Sequence, residues 1–443
     1  MTDLGKVIKM NSAEAIEYIH SINWCFCKPG LDRISELCEK LGNPQKKLSF
    51  IHVAGTNGKG SFCAMLDSVL RAAGYKTGLF TSPYIRFFNE RISYCGEPIP
   101  DGELAEITSY VRPFADAMAE KPTEFELITA IGFEYFSRKD CDVIILETGM
   151  GGRLDSTNII DSPLLSVITG IALDHTAYLG DTIEKIAYEK AGIIKKGCPV
   201  LFGGSDETAR RIISEHAEQM SSRLFLTDRG AIRNVNATLS GTVFDFADRK
   251  DIAISLMGLY QPLNAANVIT AVDILREGGI KVSDQALRAG LWSTVWHARF
   301  ELISKEPIVI YDGAHNPEGI AAAVKSIKAY FGDNKVYVLS GVMKDKDFDC
   351  IARDLSTVAL RAFTVTPDNP RALNAEEYAK TLSSKGITAE PFGSLKDALQ
   401  AAIRAAKKDN TPLLCLGSLY MYAELIEALE ALKATSLSHF NTI

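Results

Sequence analysis

The stretch "FIHVAGTNGKGSF" (residues 50–62) decides the fold. It opens as a buried strand, runs into a glycine-rich turn and ends where a helix begins. The common nucleotide-phosphate loop reads G-x-x-x-x-G-K-[ST], with the hydroxyl directly after the lysine. Here Gly60 separates Lys59 from Ser61, and Val53 stands where that pattern has its first glycine. The physical ingredients of a phosphate cradle are nonetheless in order. Gly55, Gly58 and Gly60 let backbone N–H groups close around phosphate oxygens, and a helix start at Ser61 adds favourable partial charge. Lys59 supplies a full positive charge, and Ser61 offers a hydroxyl to a magnesium ion. The plainer reading is a tight glycine turn with a solvated lysine.

Working outward, strand-like apolar runs alternate with helical stretches, the pattern of an α/β sheet with crossover helices. A helix is predicted over 61–74, a strand over 76–83, a helix over 125–140 and a strand over 141–149. A further strand is predicted over 164–175 and a helix over 182–195. These strands end at Gly55, Ser82, Glu147 and His175, and ligands of open parallel sheets gather beyond such carboxyl ends. Residues 222–256 read as short antiparallel β, and 262–279 as helix. From 298 a new series begins, with strands in "PIVIYDG", "KVYVLSGV" and "TPLLCLGS". The expected fold is α/β. A mostly parallel sheet with the phosphate loop forms an N-terminal domain (1–297), and a smaller Rossmann-like sheet forms a C-terminal one (298–443).

Bulk properties agree with two or three domains at 443 residues. With 48 basic against 55 acidic residues the net charge is −7, which argues against a general nucleic-acid surface. Nine cysteines lack repeated spacing; Cys25 and Cys27 form the one tight pair, and reduced thiols are the simplest account. The opening stretch through Trp24 reads as an amphipathic helix with mixed charge rather than a signal peptide. No apolar run approaches the roughly 20 residues a membrane helix needs. Together these predict a cytoplasmic protein.

Several strand ends carry metal-type chemistry. Glu147 closes a buried strand, where a carboxylate is costly without a cation or hydrogen-bond partner. Asp174 and His175 stand at the next predicted strand end, and Ser82 sits in a Ser-Pro turn. Taken singly, each has a structural reading: a salt-bridged glutamate, a structural histidine, a turn serine.

Read together, "HVAGTNGKGS", "TSPYIRFFNERI", "ETGMGGRLDSTN", "ALDHTAYLG", "YEKAGIIK", "HARFE" and "YDGAHNP" resemble, in order, the motifs of folylpolyglutamate and dihydrofolate synthases. These form the folate branch of the Mur ligase superfamily, whose phosphate loop carries the same glycine between lysine and serine. The resemblance implies that Gly55, Thr56, Asn57, Gly58, Lys59, Gly60 and Ser61 bind ATP. Ser61, Ser82 and Glu147 would hold one Mg2+, and Glu147 with His175 a second; a monovalent cation is a further candidate. Lys190 matches the lysine that this family converts with CO2 to a carbamate, an anionic oxygen ligand in place of a repelling ammonium. Asp312 and His315 would contact ATP and the reacting phosphate. Arg299 matches an arginine on the phosphates and Asn264 an asparagine near the adenine. By themselves, Arg299 and Asn264 read as a linker ion pair and a helix-start cap. On the acceptor side Asp155 and Phe125 match positions around the pterin, and Arg91 is a candidate for a carboxylate. Ser156 replaces the family's usual alanine.

The implied reaction is ATP-driven ligation of L-glutamate to a folate through an acyl phosphate. The acceptor is a tetrahydrofolate, dihydropteroate, or both. Domain closure about 296–300 and a monomeric state are the expectations that follow. Two rivals are a murein-type ligase and a nucleotide-binding switch. The first carries an extra N-terminal domain, whereas only about 47 residues precede the first strand here. The second has no need of "HARFE" and "YDGAHNP".

Overall fold

A computed structural model describes residues 9–22 and 29–438. Cys25, Cys27 and the first eight residues of the predicted opening helix lie outside the described residues; the helix itself is seen as Ser12–Ser21. The chain divides into two compact units. The first comprises residues 1–232 and 263–294, the second residues 233–262 and 295–443. A single cut at 297/298 therefore separates residues 233–262 from the unit they pack into.

The first unit is built on eight strands. They are β1 (Phe50–Ala54), β2 (Thr77–Phe80), β3 (Ile92–Tyr94), β4 (Glu97–Pro98), β5 (Val143–Glu147), β6 (Leu165–Ile168), β7 (Val200–Phe202) and β8 (Leu224–Leu226). Their order is β4-β3-β2-β5-β1-β6-β7-β8. The six from β2 to β8 run parallel, and β3 and β4 form an antiparallel edge. β1 and β5 are buried at every residue, as strands covered by helices on both faces must be. On one face lies the helix Glu124–Arg138, started by a reciprocal cap between Thr123 and Glu126. It packs Leu127, Ile131, Phe133 and Phe136 into the core, with Phe133 edge-on to Phe50.

Two sequence expectations change here. The strand predicted over 164–175 stops at Ile168: Thr169 turns its hydroxyl onto Asn57 O, and Gly170 O accepts from Thr56 N, so the chain leaves the sheet for the phosphate loop. His175 thus lies beyond the strand, at the start of the short helix Thr176–Leu179. Residues 224–226, expected as antiparallel, instead extend the main sheet in parallel after the crossover helix Glu207–Gln219, as a strand–helix–strand unit favours.

The second unit holds a three-stranded sheet, β9 (Ile232–Thr238), β10 (Gly241–Phe246) and β11 (Arg249–Ile254). It also holds a six-stranded sheet of β12 (Glu301–Lys305), β13 (Ile308–Asp312), β14 (Val336–Ser340), β15 (Ala359–Thr364), β16 (Ala389–Pro391) and β17 (Leu413–Leu416). The order β12-β13-β17-β14-β15-β16 is parallel apart from β12. Met257 belongs to its core, and Leu259 N donates to Ser326 Oγ at 3.0 Å.

Candidate active site

In the first unit the loop 55–61 lies at the carboxyl end of β1 and leads into the helix Lys59–Ala72. Gly58 is left-handed (φ 85°), and a β-carbon there would come within 2.6 Å of Asn264 Oδ1. Gly55 is as tightly held: a β-carbon would fall 2.0 Å from Thr169 Oγ1. The helix's first-turn amides point away from the helix, ready for an anion. Asn264, buried in the first turn of the helix Gln261–Glu277, is thus set against the phosphate loop.

Two strand ends meet beside this loop. Glu147, 3% exposed at the end of β5, accepts Ser82 N on Oε2 at 3.2 Å, and its Oε1 is 3.9 Å from Lys59 Nζ. The buried Ser61 stands two residues beyond that lysine. A buried carboxylate is a hard oxygen donor and fits Mg2+ better than softer metals. Lys190, buried on the helix Ile183–Ala191, donates from Nζ to Gly55 O at 2.8 Å. Burial, and then the charge of Lys59, push its ammonium down to about 7, with Asp174 and Asp155 opposing. His175 is exposed, with a left-handed backbone (φ 50°).

The loop after β5 forms a second cluster. Asp155 is buried and accepts Met150 N on Oδ2 (2.8 Å) and both Thr157 N (3.1 Å) and Thr157 Oγ1 (2.6 Å) on Oδ1. Burial raises its carboxyl against these hydrogen bonds. Phe125, in the first turn of the helix Glu124–Arg138, packs its ring onto Gly149, where a β-carbon would meet it at 2.6 Å. Arg91 packs among side chains of its own neighbourhood. Its guanidinium lies over the rings of Tyr84 (5.2 Å) and Phe88 (5.7 Å) and 4.0 Å from Glu124, with the side chain 12% exposed.

In the second unit Asp312 ends β13. Its carboxylate accepts Tyr260 Oη at 2.9 Å and Ala314 N at 2.9 Å. Burial pushes it up to about 6, although Arg299 and Tyr260 pull the other way. His315 Nδ1 is 2.8 Å from Gly313 O. A carbonyl only accepts, so Nδ1 carries the hydrogen. Arg299 sits between two left-handed residues, Ala298 (φ 57°) and Phe300 (φ 48°). That strained turn is held by Ala298 N on Glu301 Oε2 (2.8 Å) and Gly313 N on Ala298 O (2.8 Å). Tyr260 and Glu301 escaped the sequence reading; their partners lie across the fold or inside a motif that shows only its arginine.

Family models match in both units. The Mur ligase middle domain matches residues 53–272, and the Mur ligase glutamate ligase domain residues 298–419. The chain is 40% identical to a dihydrofolate synthase/folylpolyglutamate synthase of Bacillus subtilis (strain 168), over 94% of this chain and 99% of that one. Among solved structures, Mycobacterium tuberculosis folylpolyglutamate synthase complexed with ADP and AMPPCP superposes with a TM-score of 0.87 at 28% identity, covering 95% of this chain and 99% of that one. Escherichia coli FolC in complex with DHPP and ADP gives 0.83 at 31% identity, with 97% and 100% covered.

Proposed function

The chain belongs to the Mur ligase family, in its folylpolyglutamate/dihydrofolate synthase branch, and on that premise we propose how its residues ligate L-glutamate to a folate at the expense of ATP. The loop 55–61 takes the nucleotide phosphates on its backbone amides and Lys59, with Asn264 toward the base. Ser61, Ser82 and Glu147 would hold one Mg2+; Glu147 and His175, with a carbamate on Lys190, would hold a second. Bound there, the ions would neutralise phosphate charge. The carbamate forms when the neutral Lys190 amine attacks the carbon of CO2 and releases a proton. Arg299 offsets charge on the transferring phosphoryl group, and Asp312 and His315 act on the nucleotide beside it.

The acceptor's carboxylate attacks the γ-phosphorus, and ADP leaves. The resulting acyl phosphate gives the carbonyl a leaving group that a bare carboxylate lacks. The amine of L-glutamate then adds to the acyl carbon, loses its proton and expels phosphate. Asp155 and Phe125 receive the acceptor's ring system. Arg91, clamped by Tyr84, Phe88 and Glu124, shapes the neighbouring wall rather than offering an open cation.

The observation that carries this reading is the meeting of Glu147, Ser82 and Lys59 beside a loop that Asn264 closes. We propose both acceptors, dihydropteroate and tetrahydrofolate, because the Bacillus subtilis relative bears both names. ADP release by the purified chain with ATP, Mg2+ and L-glutamate tests this, each acceptor in turn. Glutamate-dependent release with both is expected. Release with one alone reduces the enzyme to a single activity, and release with neither overturns the folate assignment.

A further inference from the structure

The strand that carries the phosphate loop also carries His52, a fully buried imidazole that the proposed chemistry leaves without a task. Its neighbours along β1 are Phe50, Ile51, Val53 and Ala54, so an apolar residue would suit the position. Instead His52 Nε2 lies 2.8 Å from Thr157 Oγ1, 105 residues further on. Thr157 Oγ1 gives its one proton to Asp155 Oδ1 at 2.6 Å, so it must accept from His52. Nε2 therefore carries the hydrogen, and Nδ1 is a bare lone pair with no hydrogen-bond partner. Burial, helped by the charge of Lys195, keeps the ring neutral down to about pH 3, which suits this one-way donor. A buried orphan nitrogen is costly, so the other nitrogen's bond has something to offset.

We infer that His52 is a positioning residue for the acceptor site, fixing the Asp155 carboxylate through the Thr157 hydroxyl. The inference rests on the reading of Asp155 as an acceptor contact. A hydroxyl that both accepts from His52 and donates to Asp155 cannot turn away, and each bond in such a chain polarises the next. With Thr157 N on the same oxygen and Met150 N on the other, the carboxylate has one orientation. The relay also ties the acceptor pocket to the strand that bears the nucleotide loop.

The test is steady-state kinetics on the full chain with His52→Leu, Thr157→Val, the double variant, His52→Gln and Asp155→Ala. His52→Leu and Thr157→Val are expected to raise the acceptor KM about tenfold while the KM for ATP moves less than about twofold. The double variant should be no worse than Thr157→Val, since both cut one relay. His52→Gln keeps an N–H at the same reach and should restore the acceptor KM. Nitrogen-15 NMR of histidine-labelled enzyme should show His52 as the Nε2–H tautomer, a readout that survives if His52→Leu fails to fold. An Nδ1–H tautomer overturns the inference. So does an unchanged acceptor KM in Thr157→Val alongside a raised one in Asp155→Ala. An unchanged KM in Asp155→Ala removes the reading of Asp155 itself, and the inference falls with it.

Discussion

Lys190 and Asp312 are buried charges whose surroundings oppose ionisation, one in each unit. Desolvation and Lys59 act on the first, desolvation alone on the second. Lys190→Ala is expected to lower kcat at least about 100-fold, because it would remove the carbamate proposed there together with the metal ligand that group would supply. Carbon-13 NMR with labelled bicarbonate should show a carbamate resonance in the parent enzyme and none in the variant. Finding the same resonance in both would remove the modification from Lys190. For Asp312, the folded-state value of about 6 lies above the ordinary 3.8. Between those values the native state binds more protons than the unfolded chain, so stability falls as pH rises through the window and stays lower above it. Asp312→Asn should therefore raise Tm at pH 7.5, by on the order of 1–3 kcal/mol of stability, with no gain below about pH 4. Activity should drop in the same variant, as buried functional charges commonly trade stability for chemistry. Melting curves across pH, alongside ADP release, check both halves.

At the scale of elements, the strand–loop–helix unit around residues 50–72 was readable because its parts are contiguous. An apolar strand, glycines and a helix start follow one another in the text. Glu147 was readable for the same reason, as the charged end of an apolar run. What spacing could not show were contacts made across the fold. His52 meets Thr157 over 105 residues, Tyr260 meets Asp312 over 52, and Arg91 is claimed by two aromatic rings and Glu124. The run 164–175 looked like one strand because apolar content continues past Ile168, although strand pairing ends there and the next bonds, from Thr169 N to Ala54 O and from Thr56 N to Gly170 O, lead into the loop. Gly58→Ala tests the contiguous reading. A left-handed alanine with its β-carbon 2.6 Å from Asn264 Oδ1 should cost about 1–2 kcal/mol and raise the KM for ATP at least tenfold. An unaltered KM for ATP would separate this loop from the nucleotide.

For the whole molecule, composition and motif order were enough to separate an ATPase-type sheet from a smaller Rossmann-like one. They could not show that residues 233–262 leave the first unit for the second, because an antiparallel insertion reads the same wherever it packs. A fragment of residues 298–443 therefore lacks Met257 from its core, Leu259 on Ser326 and Tyr260 on Asp312. It is expected to bind hydrophobic dye and to melt without a cooperative transition. A sharp transition near that of the full chain would contradict this. Among the described residues no helix is long and apolar enough to cross a membrane. In the proposed reaction the acceptor's carboxylate takes the γ-phosphoryl group of ATP held at the loop 55–61. Oxygen-18 in that carboxylate tests it most directly, with ATP, Mg2+ and L-glutamate present and the released phosphate analysed by mass. One labelled oxygen in phosphate for each glutamate joined is the predicted result; glutamylated product accompanied by unlabelled phosphate would contradict it.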